Sequence, residues 1–160
     1  MQLRTARLEL DAADHGVWTD LLAGVMGPAA PGYPTVGDLL IARLVADGHL
    51  PSGEWGPWQV RALDSGALIG GVGFTGAPGE DGVVEINYGL ASQARGHGFA
   101  TEAVMALVAH AGERGVHCVV AETDCANVAS QAVVLRAGFA ETHRDESVVR
   151  WEIVLDAPAD

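Results

Sequence analysis

Two hydrophobic periods divide the chain. Leu8 and Leu10 alternate with polar neighbours and predict a strand over 6–10. Trp18, Leu21, Leu22 and Val25 then recur at helical spacing, predicting a helix over 14–25. A turn-rich stretch, 27–34, leads to Thr35, an N-cap for a second helix reaching about Asp47, with Leu39, Leu40, Arg43 and Leu44 on one face. From Trp58 the period shortens to two. Strands are predicted over 58–63, 68–75 and 83–90, separated by Asp64-Ser65-Gly66, a hairpin turn, and by the glycine-rich run 76–82. Ala100, Ala103, Val104, Leu107, Val108 and Ala111 mark a helix over 99–114, ended by Gly115. A strand over 116–123, a helix over 127–137 stopped by Gly138, and closing strands over 139–143 and 148–155 complete the order. The class is α/β (α+β), with a mixed, mostly antiparallel sheet and helices on its faces.

With 160 residues, the chain suits one domain spanning 1–160 with one sizeable core. Hydrophobic residues make up 49% and mean hydropathy is +0.20, which argues against disorder. No apolar run reaches membrane-span length, and the first residues lack the apolar core of a signal peptide, so a cytoplasmic location is expected. Net charge is −12, which disfavours nucleic acid and anionic membranes and favours a cationic partner such as an amine. An anionic ligand would need a local positive site. Cys118 and Cys125, the two cysteines, are read as buried packing thiols. His117 and Cys118 point to opposite faces of a strand, so no metal is expected.

Residues 93–98, Gln93-Ala94-Arg95-Gly96-His97-Gly98, supply such a site between a strand and a helix. The glycines permit a tight turn that aims successive N–H groups at one point, and the helix N-terminus adds partial positive charge. The pattern suits a phosphate or pyrophosphate. It is not a P-loop, because Phe99 follows Gly98 and the chain has no lysine. Nor does it open a dinucleotide-binding domain, which would begin with strand, glycine turn and helix. NADH binding is the weaker reading that remains.

The order of motifs resembles the GNAT superfamily of acetyl-CoA-dependent N-acetyltransferases, in particular its RimJ/RimL branch. Thr5-Ala6-Arg7-Leu8-Glu9-Leu10 resembles the opening strand, and Glu85-Ile86-Asn87-Tyr88-Gly89-Leu90 the strand lining the active site. Gln93 to Gly98, continuing through Phe99 and Ala100, is similar to the acyl-CoA pyrophosphate loop. Asn127-Val128-Ala129-Ser130, running to Ala137-Gly138-Phe139, resembles the later helix and its exit. The resemblance implies a sheet split in a V, with acetyl-CoA in the split as co-substrate. It implies that N–H groups from Arg95 through Gly96, His97, Gly98 and Phe99 to Ala100 hold the pyrophosphate. It implies further that backbone at Tyr88, Gly89 and Leu90 pairs with the pantetheine amides, and that Asn127 bonds the same arm or caps its helix.

The reaction so implied is direct attack of a neutral primary amine on the thioester. An alkyl ammonium must first lose a proton. Glu85, a lone acid among Val83, Val84 and Ile86, is the candidate base; desolvation in a cleft would raise its pKa. A strand N–H near Leu90 is the oxyanion donor. Relatives carry a tyrosine on the late helix to protonate the thiolate. Here Val133, Val134 and Leu135 stand there, and Ser130 matches the serine assigned this job in RimL-like enzymes. The acceptor is a small amine or a protein N-terminus, with Pro31, Tyr33, Trp55 and Trp58 as pocket candidates. A homodimer fits the family's habit without an identified interface. The competing reading is a non-catalytic acyl-CoA sensor.

Overall fold

The structure, a computed structural model, describes residues 1–156; the last four residues of the domain drawn from sequence lie outside them. Its strands are β1 (Gln2–Arg4), β2 (Leu8–Ala12), β3 (Pro57–Ala62), β4 (Leu68–Phe74), β5 (Val83–Leu90), β6 (Cys118–Asp124), β7 (Ala140–Arg144) and β8 (Val148–Val154). The helices are α1 (His15–Leu22), α2 (Val36–Ala46), α3 (Phe99–Glu113) and α4 (Val128–Arg136). The eight strands form one sheet in the order β1-β2-β3-β4-β5-β6-β8-β7. Among the described strands β5 and β6 alone pair in parallel, and α3 lies between them in sequence. The opening strand expected over 6–10 is β2, which begins only at Leu8; Ala6 and Arg7 belong to the turn that joins it to β1, a strand the sequence did not reveal.

Registered partners share a face, so alternation along each strand sorts the sheet into two sides. Leu8, Leu10, Trp58, Val60, Phe74, Val84, Ile86, Val119, Ala121 and Trp151 point one way and pack against Ala103, Val104, Leu107 and Ala111 of α3 and Val134 of α4. Each such large side chain contributes about 1.5–3 kcal/mol by leaving water. The opposite face is covered at one end by α1 and α2, whose Trp18, Leu21, Ala42 and Val45 form a second core with Tyr33, Leu68 and Ala91.

Local signals place these helices. The Thr35 hydroxyl accepts from Asp38 N, while the Asp38 carboxylate accepts from Thr35 N, a reciprocal capping box. Asp14 caps α1 through Val17 N, and Asn127 caps α4 through Ser130 N. The loop 49–56 is pinned to α3: Glu54 Oε1 accepts from Arg114 Nε at 2.7 Å and lies 2.9 Å from Nε2 of buried His110.

Candidate active site

The sheet opens where the parallel β5–β6 pair ends. Four pairs join β5 to β6, from Val83↔Cys118 to Ile86↔Ala121, and none follows. Thr75 N donates to Glu85 O, and Ala91 N to Ile69 O, so odd-numbered backbone groups of β5 turn toward β4. Even-numbered ones then face the opening. Beyond Ile86 this leaves the amide groups of Tyr88 and the N–H of Leu90 aimed into the split. Gly89, read from sequence with the pantetheine contacts, instead turns its backbone to β4.

A short 3₁₀ turn, Ser92–Ala94, carries Gln93 and leads from β5 into the glycine loop. Gly96 and Gly98 both have φ +80°, the left-handed conformation that glycine adopts at little cost. Gly98 is the N-cap of α3 and has no side chain to satisfy the helix's first donors. Among the described residues, the N–H groups of residues 96–101 donate to no protein acceptor. They form a ready anion cradle at a helix N-terminus. A Cβ at Gly96 would meet nothing within 4 Å, so the approach is open. Arg95 is spent differently: its N–H goes to Ser92 O at 3.4 Å and its Nε to Leu90 O at 3.1 Å, tying the loop to the end of β5. His97 is exposed, its ring 5.7 Å from Phe99, while Phe99 and Ala100 are half-buried at the helix start.

Two residues far apart in sequence meet across the split. Tyr88 Oη donates to Ser130 O at 2.9 Å and lies 2.7 Å from Ser130 Oγ. Burial raises the Tyr88 pKa and the Ser130 bond opposes it, so the phenol stays protonated at neutral pH. A tyrosine from β5 thus reaches the late helix, whose own residues 133–135 include none. Asn127 Oδ1 is engaged in capping. Tyr88→Phe removes the bridge and should cost about 0.5–1.5 kcal/mol, a shift of a few degrees in thermal unfolding measured without ligand.

Glu85 lies on the other face of β5, opposite Val120 and beside Glu122 and Arg150. Its side chain is solvent-exposed rather than enclosed in a cleft. Partial burial of the carboxylate, then the Glu122 charge, raises its pKa, and Arg150 pulls it back. On the same face, further along β5, a cavity of about 220 Å³ is lined by Trp18, Asp38, Ile41, Gly71, Asn87 and Gly89, among others. Gly71 and Gly89 are registered partners, so neither places a side chain between the sheet and α2. Asp38 Oδ2 holds Thr35, and burial raises its pKa.

The pocket residues expected from sequence are elsewhere. Trp58 is fully buried on the α3 face against His110, and Trp55 packs on Phe74, because Glu54 holds this end of the loop against α3. Pro31, Tyr33, Trp55 and Trp58 do not line the cavity. Tyr33 is buried near Gln59, its phenol pushed up to about 12 by burial and the Asp38 charge. The cysteines are half-buried rather than buried; Cys125 Sγ bonds Glu146 O, and burial pushes the Cys118 thiol up. Among the described residues, no three His, Cys, Asp or Glu side chains gather as metal ligands, and no helix is long and apolar enough to cross a membrane.

Comparison with known proteins agrees with this geometry. RimL, a ribosomal L7/L12 α-N-protein acetyltransferase solved with coenzyme A, superposes with a TM-score of 0.69 at 18% identity, covering 98% of this chain and 99% of that one. The ribosomal-protein-S5-alanine acetyltransferase of Vibrio fischeri gives 0.68 at 14% identity, covering 98% and 97%. These identities speak for the fold alone. The uncharacterized N-acetyltransferase YjdG of Bacillus subtilis (strain 168) is 30% identical over 95 residues, 59% of this chain; the chain thus spans only 56% of that relative. The acetyltransferase (GNAT) domain family matches residues 3–140. With the split sheet and the glycine cradle in place, the chain belongs to the GNAT acetyltransferase family.

Proposed function

We propose that the whole chain is one acetyltransferase domain that moves an acetyl group from acetyl-CoA to a primary amine, in a complex holding both substrates. The carrying observation is the row of unengaged N–H groups at residues 96–101, set beside strand edges that face each other unpaired. The cradle suits a pyrophosphate, and the free amide groups of Tyr88 suit the amides of a pantetheine arm lying as an added strand. When bound, acetyl-CoA supplies the activated thioester carbonyl. The Leu90 N–H faces the place where its oxygen would lie. Glu85 takes the ammonium proton, directly or through water. Ser130, its hydroxyl held by Tyr88, stands ready to give a proton to sulfur. Asn127 keeps its amide N–H groups available to the arm while its oxygen caps α4.

The acceptor enters from the cavity floored by Gly71 and Gly89, whose apolar walls and small volume suit a compact aliphatic amine or the first residue of a polypeptide. Membership of the RimJ/RimL branch would favour a protein N-terminus. The test is calorimetric titration with acetyl-CoA, with NADH as control, followed by an amine and N-terminal peptide panel read as thiol release. One-site binding of acetyl-CoA and acceptor-dependent release are expected. Absence of acetyl-CoA binding sinks the proposal. Binding without turnover of any acceptor would favour a sensor.

A further inference from the structure

A latch lies behind the glycine loop. The turn between β1 and β2 reaches across to the start of α3. There Glu102 Oε1 accepts from Thr5 Oγ1 at 2.5 Å and from Arg7 N at 2.9 Å, and Glu102 Oε2 accepts from Arg7 Nε at 2.7 Å and from Arg7 Nη2 at 2.7 Å. The guanidinium sits 4.6 Å over the Phe99 ring. Its remaining arm, Nη1, donates to His97 O at 2.7 Å. Every nitrogen of the fork is therefore engaged by protein, and its charge faces a carboxylate rather than the cradle. Burial disfavours the Glu102 anion, but the Thr5 and Arg7 bonds outweigh it and hold the carboxyl below its usual range.

The bond to His97 O has a geometric consequence. In a planar trans peptide the C=O and the following N–H point in opposite directions. Fixing the His97 carbonyl toward Arg7 therefore fixes the Gly98 N–H away from it, on the cradle side. Glycine at both 96 and 98 leaves this peptide plane few other restraints, since glycine samples left- and right-handed backbone about equally. We infer that Arg7, oriented by Glu102 and Thr5, is a positioning residue that holds the 97–98 peptide so that the loop presents its donors to the phosphates of CoA. The role rests on the acetyl-CoA reading above. It differs from a charge contact, because Arg7 acts through a carbonyl and a peptide plane.

Two substitutions separate positioning from charge. Arg7→Ala should weaken CoA binding about tenfold, the equivalent of one well-placed charge-assisted bond. Removing a cation would have the same sign, so Glu102→Gln is the deciding variant. It places an amide donor against the guanidinium donors and releases the fork, while making the region more positive. Positioning predicts weaker CoA binding, severalfold; a direct charge role predicts tighter binding. Calorimetric Kd values for CoA decide, with thermal unfolding run alongside to show that each variant is folded. Weakening in both variants supports the latch. An unchanged Kd in Arg7→Ala, or an unchanged or tighter one in Glu102→Gln, overturns it. If the wild-type protein binds no CoA, the acetyl-CoA reading fails independently of Arg7.

Discussion

Glu85→Gln should lower the turnover of an amine acceptor by about 10²–10⁴-fold, the range of a positioned general base, while leaving the Kd for acetyl-CoA unchanged. The carboxamide keeps the shape of the side chain and removes its basicity. The carboxylate lies on the acceptor face, away from the phosphate loop, so cofactor affinity has no reason to move. The pH dependence gives a second, signed check. Burial and the Glu122 charge hold the Glu85 pKa above the ordinary glutamate value, with Arg150 opposing. A base works when deprotonated, so kcat/KM should fall as pH drops through that raised value, at higher pH than a glutamate at its ordinary value would give. Glu122→Gln removes a neighbouring negative charge and should move this acidic limb to lower pH. Arg150→Gln removes the opposing cation and should move it to higher pH. A Glu85→Gln variant that turns over like wild type would falsify the assignment of the base.

Gly98→Val is expected to reduce CoA affinity at least tenfold. Gly98 has φ +80°, and a β-branched residue there costs about 1–2 kcal/mol in backbone conformation alone. A Cβ would also stand 3.3 Å from Arg7 Nη2, crowding the fork that holds the loop. The chain can relieve this by rotating the peptide planes on either side, which turns the cradle donors away from one another. Unfolding would shift by only a few degrees for a chain of this length. Calorimetry with CoA and a thermal melt should therefore separate: a large loss of binding beside a modest loss of stability. If the variant binds CoA as the parent does, these glycines serve the turn and not a phosphate.

The parts legible in the sequence are those written over a few consecutive residues. The Thr35 cap, the Asn127 cap, the period of α3 and the paired glycines at 96 and 98 each depend on neighbours within four positions. β5 was readable to the residue, since Val83–Leu90 is bounded by a glycine and a helix signal. β1 escaped because three residues with one half-buried side chain carry no periodicity. The site's tertiary pairs could not be read at all. Tyr88 meets Ser130 across 42 positions, and Arg7 meets Glu102 across 95. The second left no signal of its own, because an acid in the first turn of α3 is already accounted for by the helix dipole. The cavity walls were misplaced for a similar reason. Aromatic residues draw attention, but the space arises where register sets Gly71 against Gly89.

The short β5–β6 seam makes the protein's own stability a reporter of its ligand. Beyond the last of those four pairs β5 and β6 each present an internal edge, and the two halves meet otherwise mainly through α3 and α4 against the core. A molecule that occupies the edge supplies the bonds a ninth strand would have made. By mass action it should stabilise the fold by about 2.7 kcal/mol at a hundred times its Kd. The gain should be unevenly spread. Amide protons of Tyr88 and Leu90, open to solvent exchange in the free protein, should slow far more than those of β2 or β3, which are paired on both sides. Hydrogen exchange along one strand would thus trace where the missing strand lies, before any acceptor is known.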